Sequence, residues 1–274
     1  MDKITEQMTG QKIGFIGLGR MASAIINGII TSGFMPRENI LGYDVNKDTA
    51  KYASKNLGIE TVSDIVELMA KSSVVLLATK PFVVKEVLDE IKDKVRNHLI
   101  ISILAGVSLK VYENALPNTR VVRVMPNTPA LIAEGMSAVC KGAYAHDYDA
   151  EFVYNMFSKL GKAIYIEEKD IDIVTAISGS GPAFYYYIIE KIAHAGKLLG
   201  LDYATALRLS AQTALGSAKM MFETPDTPEE LIRAVTTPGG CTEVGNNVLN
   251  NSNIDEILFK TIKRTAEKAK KLGG

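Results

Sequence analysis

The stretch KIGFIGLGRMA, residues 12–22, decides the fold. Its first half is an apolar run that reads as a buried strand. Its second half sets Gly17, Gly19 and Ala22 in the spacing G-x-G-x-x-G/A at the point where a helix opens. Each small residue serves a separate purpose. Gly17 permits a tight turn, Gly19 lets the backbone approach a pyrophosphate, and Ala22 keeps helix and strand close. Unpaired N–H groups at a helix start favour an anion. Alone, the spacing is weak, because a structural turn produces it too; its place between a strand and a helix is what points to a dinucleotide.

Outward from this loop the first half of the chain alternates β-rich and amphipathic segments. The apolar runs are 12–17, 39–44, 73–79, 98–104, 119–125, 137–142 and 163–168, and helix-compatible stretches lie at 21–33, 47–58, 81–95 and 148–161, several closing on a glycine. That rhythm predicts a parallel, doubly wound sheet covered by helices. From about Asp170 the β-rich runs stop and helical patterns succeed one another to the end, so the expected domains are 1–168, dinucleotide-binding, and 169–274, all-α. Within PAFYYYIIEKIAHAGKLLG, Phe184, Ile188 and Ile192 repeat beside Tyr185, Ile189 and Ala193, an apolar face wider than one neighbouring helix needs. A subunit interface is one reading of that face; packing only among the helices is the other.

Composition removes several classes of function. Lys+Arg and Asp+Glu each number 31 in 274 residues, so no net field attracts nucleic acid or an anionic membrane. The two cysteines, Cys140 and Cys241, are too far apart for a metal-ligand motif and are expected to be reduced. A polar N-terminal segment and apolar runs too short to span a bilayer predict a cytoplasmic protein.

Asp44 follows the second strand, where an acidic side chain can accept hydrogen bonds from an adenine ribose and repel a 2′-phosphate. On Asp44 alone the expectation leans to NADH, although Asn46 and Lys47 just after it are compatible with NADPH, and a loop aspartate without a ligand is the plainer alternative. In ATKP, residues 78–81, Pro81 biases Lys80 to extended backbone at a strand's C-terminal end, where ligands of open α/β sheets bind. Asn127 in MPNTP reads equally as a turn former or a polar contact near the cofactor. TPGGCT, residues 237–242, sets Gly239 and Gly240 before a helix-compatible run. Unpaired N–H groups around Gly240, Cys241 and Thr242 would there suit a carboxylate, and a Thr-capped helix after a glycine turn is the structural alternative.

Several separated segments now converge: GFIGLGRM (14–21), ATKP (78–81), SILAGVSL (102–109), RVMPNTPA (123–130), AISGSGPAF (176–184) and VTTPGGCT (235–242). Together they resemble pyrroline-5-carboxylate reductase from residue 12 onward, and the last two are far more specific than the glycine loop. The resemblance implies an N-terminal Rossmann-type doubly wound parallel sheet followed by an all-α dimerisation domain. It also implies an interlocked homodimer, in some members assembled into a larger ring, with an active site shared between subunits. It assigns Gly17, Leu18, Gly19, Arg20 and Met21 to the pyrophosphate and Asp44 to the ribose. Ala78, Thr79, Lys80, Pro81 and Ala105 fall on the nicotinamide half of NADH or NADPH, and Asn127 remains a candidate contact near the cofactor. Glu168, Gly239, Gly240, Cys241 and Thr242 fall at the substrate, with the Thr242 hydroxyl on the ring nitrogen as the catalytic contact.

The implied reaction is hydride transfer from the nicotinamide to the imine carbon of Δ1-pyrroline-5-carboxylate, yielding proline. A protonated imine is already electrophilic, so placement can carry most of the catalysis without a His or carboxylate dyad. His98, His146 and His194 fall in none of these motifs and read as surface or packing residues, and Tyr185, Tyr186 and Tyr187 as packing or interface residues. Cys241, where the family often has Thr, Glu243, where an apolar residue is usual, and Ile65, in place of an asparagine, depart from the pattern. Cys241 and Glu243 keep a six-membered cyclic imino acid open as substrate, whereas Ile65 falls at the adenosine-facing end. A β-hydroxyacid dehydrogenase would need a lysine soon after the glycine turn, yet none follows Gly181 until Lys191. A noncatalytic nucleotide sensor on the same fold is the rival from another class.

Overall fold

The computed structural model describes residues 11–272. Eight strands form one sheet: β1 Ile13–Ile16, β2 Ile40–Tyr43, β3 Glu60–Thr61, β4 Val74–Leu77, β5 Leu99–Ser102, β6 Arg120–Met125, β7 Gly135–Lys141 and β8 Gly161–Tyr165. Their order is β3-β2-β1-β4-β5-β6-β7-β8. The first six strands therefore run 3-2-1-4-5-6, the doubly wound order whose winding reverses between β1 and β4.

One pair departs from the expected parallel arrangement: β7 runs antiparallel to β6, while β8 returns parallel to β7. The reason lies in the connection. Residues 126–134 hold only a short 3₁₀ turn at Thr128–Ile132, and a parallel crossover needs a dozen or more residues. The seven expected strands are all present, and the two-residue β3 was not anticipated.

Helices α1 Arg20–Thr31, α2 Lys47–Leu57, α3 Ile65–Lys71, α4 Val84–Ile91, α5 Leu109–Ala115 and α6 Asp147–Ser158 cover the sheet. Strand side chains alternate between two cores. Phe15, Leu76, Ile101, Val122 and Val139 join Ile25, Ile26 and Ile29 of α1 with Phe152, Met156 and Phe157 of α6. Ile16, Val75, Leu77, Ile100 and Cys140 join Ile65 and Leu68 of α3, Leu88 and Ile91 of α4, and Tyr112 of α5. With both faces covered, the central strands β1, β4 and β5 are buried along their whole length instead of alternating between core and solvent, as parallel sheets require. Gly58, at φ +69°, ends α2 and donates its N–H to the Ser54 carbonyl, the glycine cap expected there.

Beyond the sheet come α7 Ile171–Val174, a π turn at Thr175–Gly179, α8 Gly181–Leu198, α9 Tyr203–Glu223, α10 Pro228–Ala234, α11 Cys241–Asn250 and α12 Ile254–Lys271. The chain forms two compact units: one extends to Ser180 and resumes at Arg264, and the other is Gly181–Lys263. This division falls beyond the expected domain boundary at Glu168, because Glu168 is bonded to sheet-bearing residues and the π turn is tied back by Asn127. In the second unit α8 and α9 pack as a hairpin, with Ser210 donating to the Ile189 carbonyl at 3.0 Å. Tyr185, Tyr186 and Tyr187 are each more than 60% exposed, so the broad apolar face of α8 is not consumed within the chain.

Candidate functional site

The loop from β1 to α1 behaves as its spacing predicts. Gly17 sits at φ +95°, and a Cβ built on it would lie 2.8 Å from the Ala78 carbonyl oxygen, so the turn presses against the chain leaving β4. Gly19 caps α1 in extended conformation, without a side-chain hydrogen bond, and a Cβ there would meet no atom within 4 Å. Arg20 and Met21 begin the helix, with Arg20 exposed and Met21 half-buried. The first turn thus presents uncapped N–H groups beside open space, which is what a pyrophosphate needs.

Leu18 donates its N–H to Asp44 Oδ2 at 2.8 Å, and Asn46 donates to Asp44 Oδ1 at 2.9 Å. Asp44 is therefore a strut of the glycine loop as well as a candidate ribose acceptor. Two backbone donors offset part of its charge, yet a carboxylate still has lone pairs to offer two hydroxyls. The Asn46 side chain caps α2 through the N–H groups of Asp48 and Thr49, so it is spent locally.

Ala78 and Thr79 are half-buried where β4 ends. The Thr79 hydroxyl is enclosed without a partner, an orphaned polar atom at the edge of the crevice. Lys80 has the extended backbone expected before Pro81, with ψ 141°, and its side chain is exposed. Ala105 is half-buried and precedes Gly106, which takes φ +77°. These residues follow β4 and β5, neighbouring strands, on the carboxyl-end side of the sheet where open α/β folds bind ligands.

Two expected contacts have other partners. Asn127 accepts the Met136 N–H at 2.9 Å and donates to the Ser178 hydroxyl at 3.2 Å and the Ser178 carbonyl at 3.3 Å, joining the MPNTP turn to the π turn. Its amide is saturated within the protein, which favours the turn-forming reading. Glu168, expected at the substrate, has partners within this chain. Its Oε1 accepts the N–H of Leu109, the first residue of α5, and pairs with Arg123 Nη1 at 3.1 Å. Arg123, 2% exposed in the middle of the sheet, was not singled out from sequence, although an arginine inside the buried run TRVVRVM signals that a partner must exist.

In the second unit, Gly240 caps α11 without a side-chain hydrogen bond, and Thr242 is the second residue of that helix. The Thr-capped alternative is thus not realised. Gly240 donates to the Thr237 carbonyl at 2.9 Å, and Gly239 donates to Glu243 Oε2 at 2.7 Å. The nest is therefore smaller than expected: the N–H groups of Cys241 and Thr242 carry it, and Glu243 turns back onto the glycine turn. Cys241 and Thr242 are both exposed.

No histidine belongs to this constellation. His98 is buried, accepting the Arg96 N–H at Nδ1 and meeting the Met69 carbonyl at Nε2. His146 stacks on Tyr148 beside the start of α6, and His194 is exposed on α8. Among the described residues no cluster of His, Cys, Asp and Glu is arranged to hold a metal ion, and no helix is long and apolar enough to cross a membrane.

Two family models and several known proteins match this chain. Residues 168–272 match the model for pyrroline-5-carboxylate reductase dimerisation, and residues 12–106 that for NADP oxidoreductase, coenzyme F420-dependent. A pyrroline-5-carboxylate reductase of Methanosarcina acetivorans is 41% identical over 97% of this chain and 99% of its own length. That of Arabidopsis thaliana is 35% identical over 95% of both. The crystal structure of a Coxiella burnetii pyrroline-5-carboxylate reductase superposes with TM-score 0.91 at 32% identity, covering 96% of this chain and 99% of that one. The Plasmodium falciparum pyrroline carboxylate reductase, solved with NADP bound, gives 0.86 at 33%, over 97% and 99%. With its glycine loop, its TPGG turn and its helical dimerisation domain, the chain belongs to the pyrroline-5-carboxylate reductase family.

Proposed function

We propose that this chain reduces Δ1-pyrroline-5-carboxylate to proline with NADH or NADPH. The observation that carries the reading is the pair of uncapped helix starts, one after Gly19 beside open space and one after Gly240 beside Thr242, on a chain with this family's motifs. The reduced nicotinamide supplies the hydride. The chain's own residues bind and orient. Gly19, Arg20 and Met21 receive the pyrophosphate, and Asp44 the ribose hydroxyls. Ala78, Thr79, Lys80, Pro81 and Ala105 bound the nicotinamide half, with the orphaned Thr79 hydroxyl a ready donor to it.

The N–H groups of Cys241 and Thr242 receive the substrate carboxylate, and the Thr242 hydroxyl orients the ring nitrogen so that its proton stays on nitrogen during transfer. We assign residues 1–168 to the cofactor and 169–274 to substrate and self-association. The exposed apolar face of α8 supports an interlocked homodimer that can build a larger ring. Two unpaired cysteines, Cys140 buried and Cys241 exposed, fit a reducing compartment such as the cytoplasm. The β-hydroxyacid rival gains nothing: Lys191 is paired with Glu190 at 2.9 Å and lies over the Tyr187 ring.

The test is spectrophotometric oxidation of NADH and NADPH with pyrroline-5-carboxylate and with its six-membered homologue. Turnover of the five-membered ring is expected. Preference for the larger ring would trace to Cys241 and Glu243, and turnover with neither would hand the chain to the nucleotide-sensing reading. The lean to NADH from Asp44 is decided by kcat/KM for the two cofactors in the same assay.

A further inference from the structure

We propose that the buried Arg123–Glu168 pair is a positioning device for the Ala105–Ser108 turn, the segment assigned above to the nicotinamide. The inference rests on that assignment. The turn is held at both ends by specific hydrogen bonds. At its start, Ile103 donates to the Leu77 carbonyl at 3.2 Å, and Leu104 donates to the Ser102 hydroxyl at 3.3 Å. The Ser102 hydroxyl is itself fixed by the Tyr112 hydroxyl, 2.5 Å away. At its end, the Leu109 N–H donates to Glu168, which Arg123 holds from within the sheet. Between the two anchors lies Gly106 at φ +77°, a point of backbone freedom that would otherwise let the turn drift.

Folding stability does not account for a charged pair here. Arg123 is 2% exposed, and its Nε and Nη2 groups are buried without partners. A well-packed apolar pair of similar volume commonly serves stability as well as or better than a buried ion pair. What an apolar pair cannot do is accept the Leu109 N–H. Glu168 reaches that donor from 59 residues away, whereas Ser108, the residue in the cap position of α5, makes no side-chain cap. The carboxylate thus replaces a local cap with one delivered from the chain that leaves β8, and Arg123 keeps it aimed.

The test uses two double variants of the full chain. Arg123→Met with Glu168→Gln removes the charges but leaves an acceptor for Leu109; Arg123→Met with Glu168→Leu removes the acceptor as well. In the assay with pyrroline-5-carboxylate and NADPH, the Gln-bearing form, which still offers Leu109 an acceptor, should exceed the Leu-bearing form in kcat by at least about tenfold. The Leu-bearing form should lose about 10- to 100-fold in kcat, the scale of an ångström's misplacement of reacting groups. It should also show a larger isotope effect with NADPH deuterated at the transferred position, while its affinity for ADP-ribose, which lacks the nicotinamide, stays unchanged.

Leu109→Pro supplies an independent variant should the Leu-bearing form fail to fold. It deletes the N–H at the first position of a helix, where proline is tolerated, after a Ser108 already extended at ψ 157°, and it shortens the buried Leu109 side chain without touching the Arg123–Glu168 pair. The same kcat loss is expected. Wild-type kcat and isotope effect in the Leu-bearing form, or in Leu109→Pro, would overturn the inference while leaving the reductase reading intact. A wild-type enzyme that neither binds NADPH nor reduces the imine would overturn both.

Discussion

The two glycines of the dinucleotide loop should answer the same substitution in opposite ways. At Gly17, alanine must adopt φ +95° and place its methyl 2.8 Å from the Ala78 oxygen, 2.9 Å from the Ala78 carbonyl carbon and 3.0 Å from the Thr79 nitrogen. All three neighbours are backbone, so none can swing away. Left-handed strain contributes about 1–2 kcal/mol and overpacking about 1–3 kcal/mol, giving a destabilisation of about 2–5 kcal/mol. At Gly19 the backbone is already extended, with φ −65° and ψ −174°, and the added methyl touches nothing. Gly19→Ala should therefore alter stability by less than about 1 kcal/mol. It should nevertheless weaken NAD(P)H binding by at least about tenfold, the cost of one lost charge-assisted hydrogen bond to phosphate. Denaturant unfolding of the cofactor-free protein and fluorescence titration with NADPH separate the two effects. The reasoning fails if Gly19→Ala unfolds as readily as Gly17→Ala, or if it binds the cofactor like wild type.

Thr242→Ala should lower kcat about 10- to 100-fold with little change in cofactor affinity, since the hydroxyl is assigned to the imine alone; unchanged kcat would remove it from the chemistry. Asp149 is fully buried and accepts from Arg120 Nη1 at 2.7 Å and from the His146 N–H at 2.9 Å. Asp149→Ala should cost about 3–5 kcal/mol of stability in denaturant unfolding, because it strands Arg120. Burial pushes the Cys140 thiol from 9.0 up to about 11 and the Tyr112 hydroxyl from 10.0 up to about 12. The folded state then holds protons that the unfolded chain has released, so stability should fall as pH rises above about 9, and a flat unfolding midpoint from pH 8 to 11 would refute this. For the same reason a thiol reagent at pH 8 should titrate Cys241 quickly and Cys140 only on unfolding.

How far the chain could be read without coordinates depended on whether a residue's role is local. Gly17, Gly19 and Ala22 act within one turn, and their spacing carried the loop into the structure unchanged. The apolar runs of β1, β4 and β5 are buried on both faces and so were continuous enough to see. By contrast β3 has two residues, and α3 and α5 have seven each, too short for a period to stand out before packing holds them. The antiparallel turn of β7 was concealed in loop length. At the site, motif positions were recognisable but hydrogen-bond partners were not. Asp44 with Leu18, Glu168 with Leu109 and Gly239 with Glu243 each pair a side chain with a backbone N–H, and backbone donors carry no sequence mark. Arg123 was passed over, although its charge within an apolar strand calls for a counter-charge.

The chain's excursion out of the first compact unit at Ser180 and its return at Arg264 has a practical corollary. The helical unit is an insertion bounded by two covalent crossings, not a tail. A deletion ending at Lys263 would strip the sheet-bearing unit of its own last helical turns, including buried Ala269. Its defects would surface in the cofactor half. Excising the helical unit therefore takes two cuts, after Ser180 and before Arg264, and a linker joining the cut ends, whereas a single truncation conflates the two halves of the enzyme.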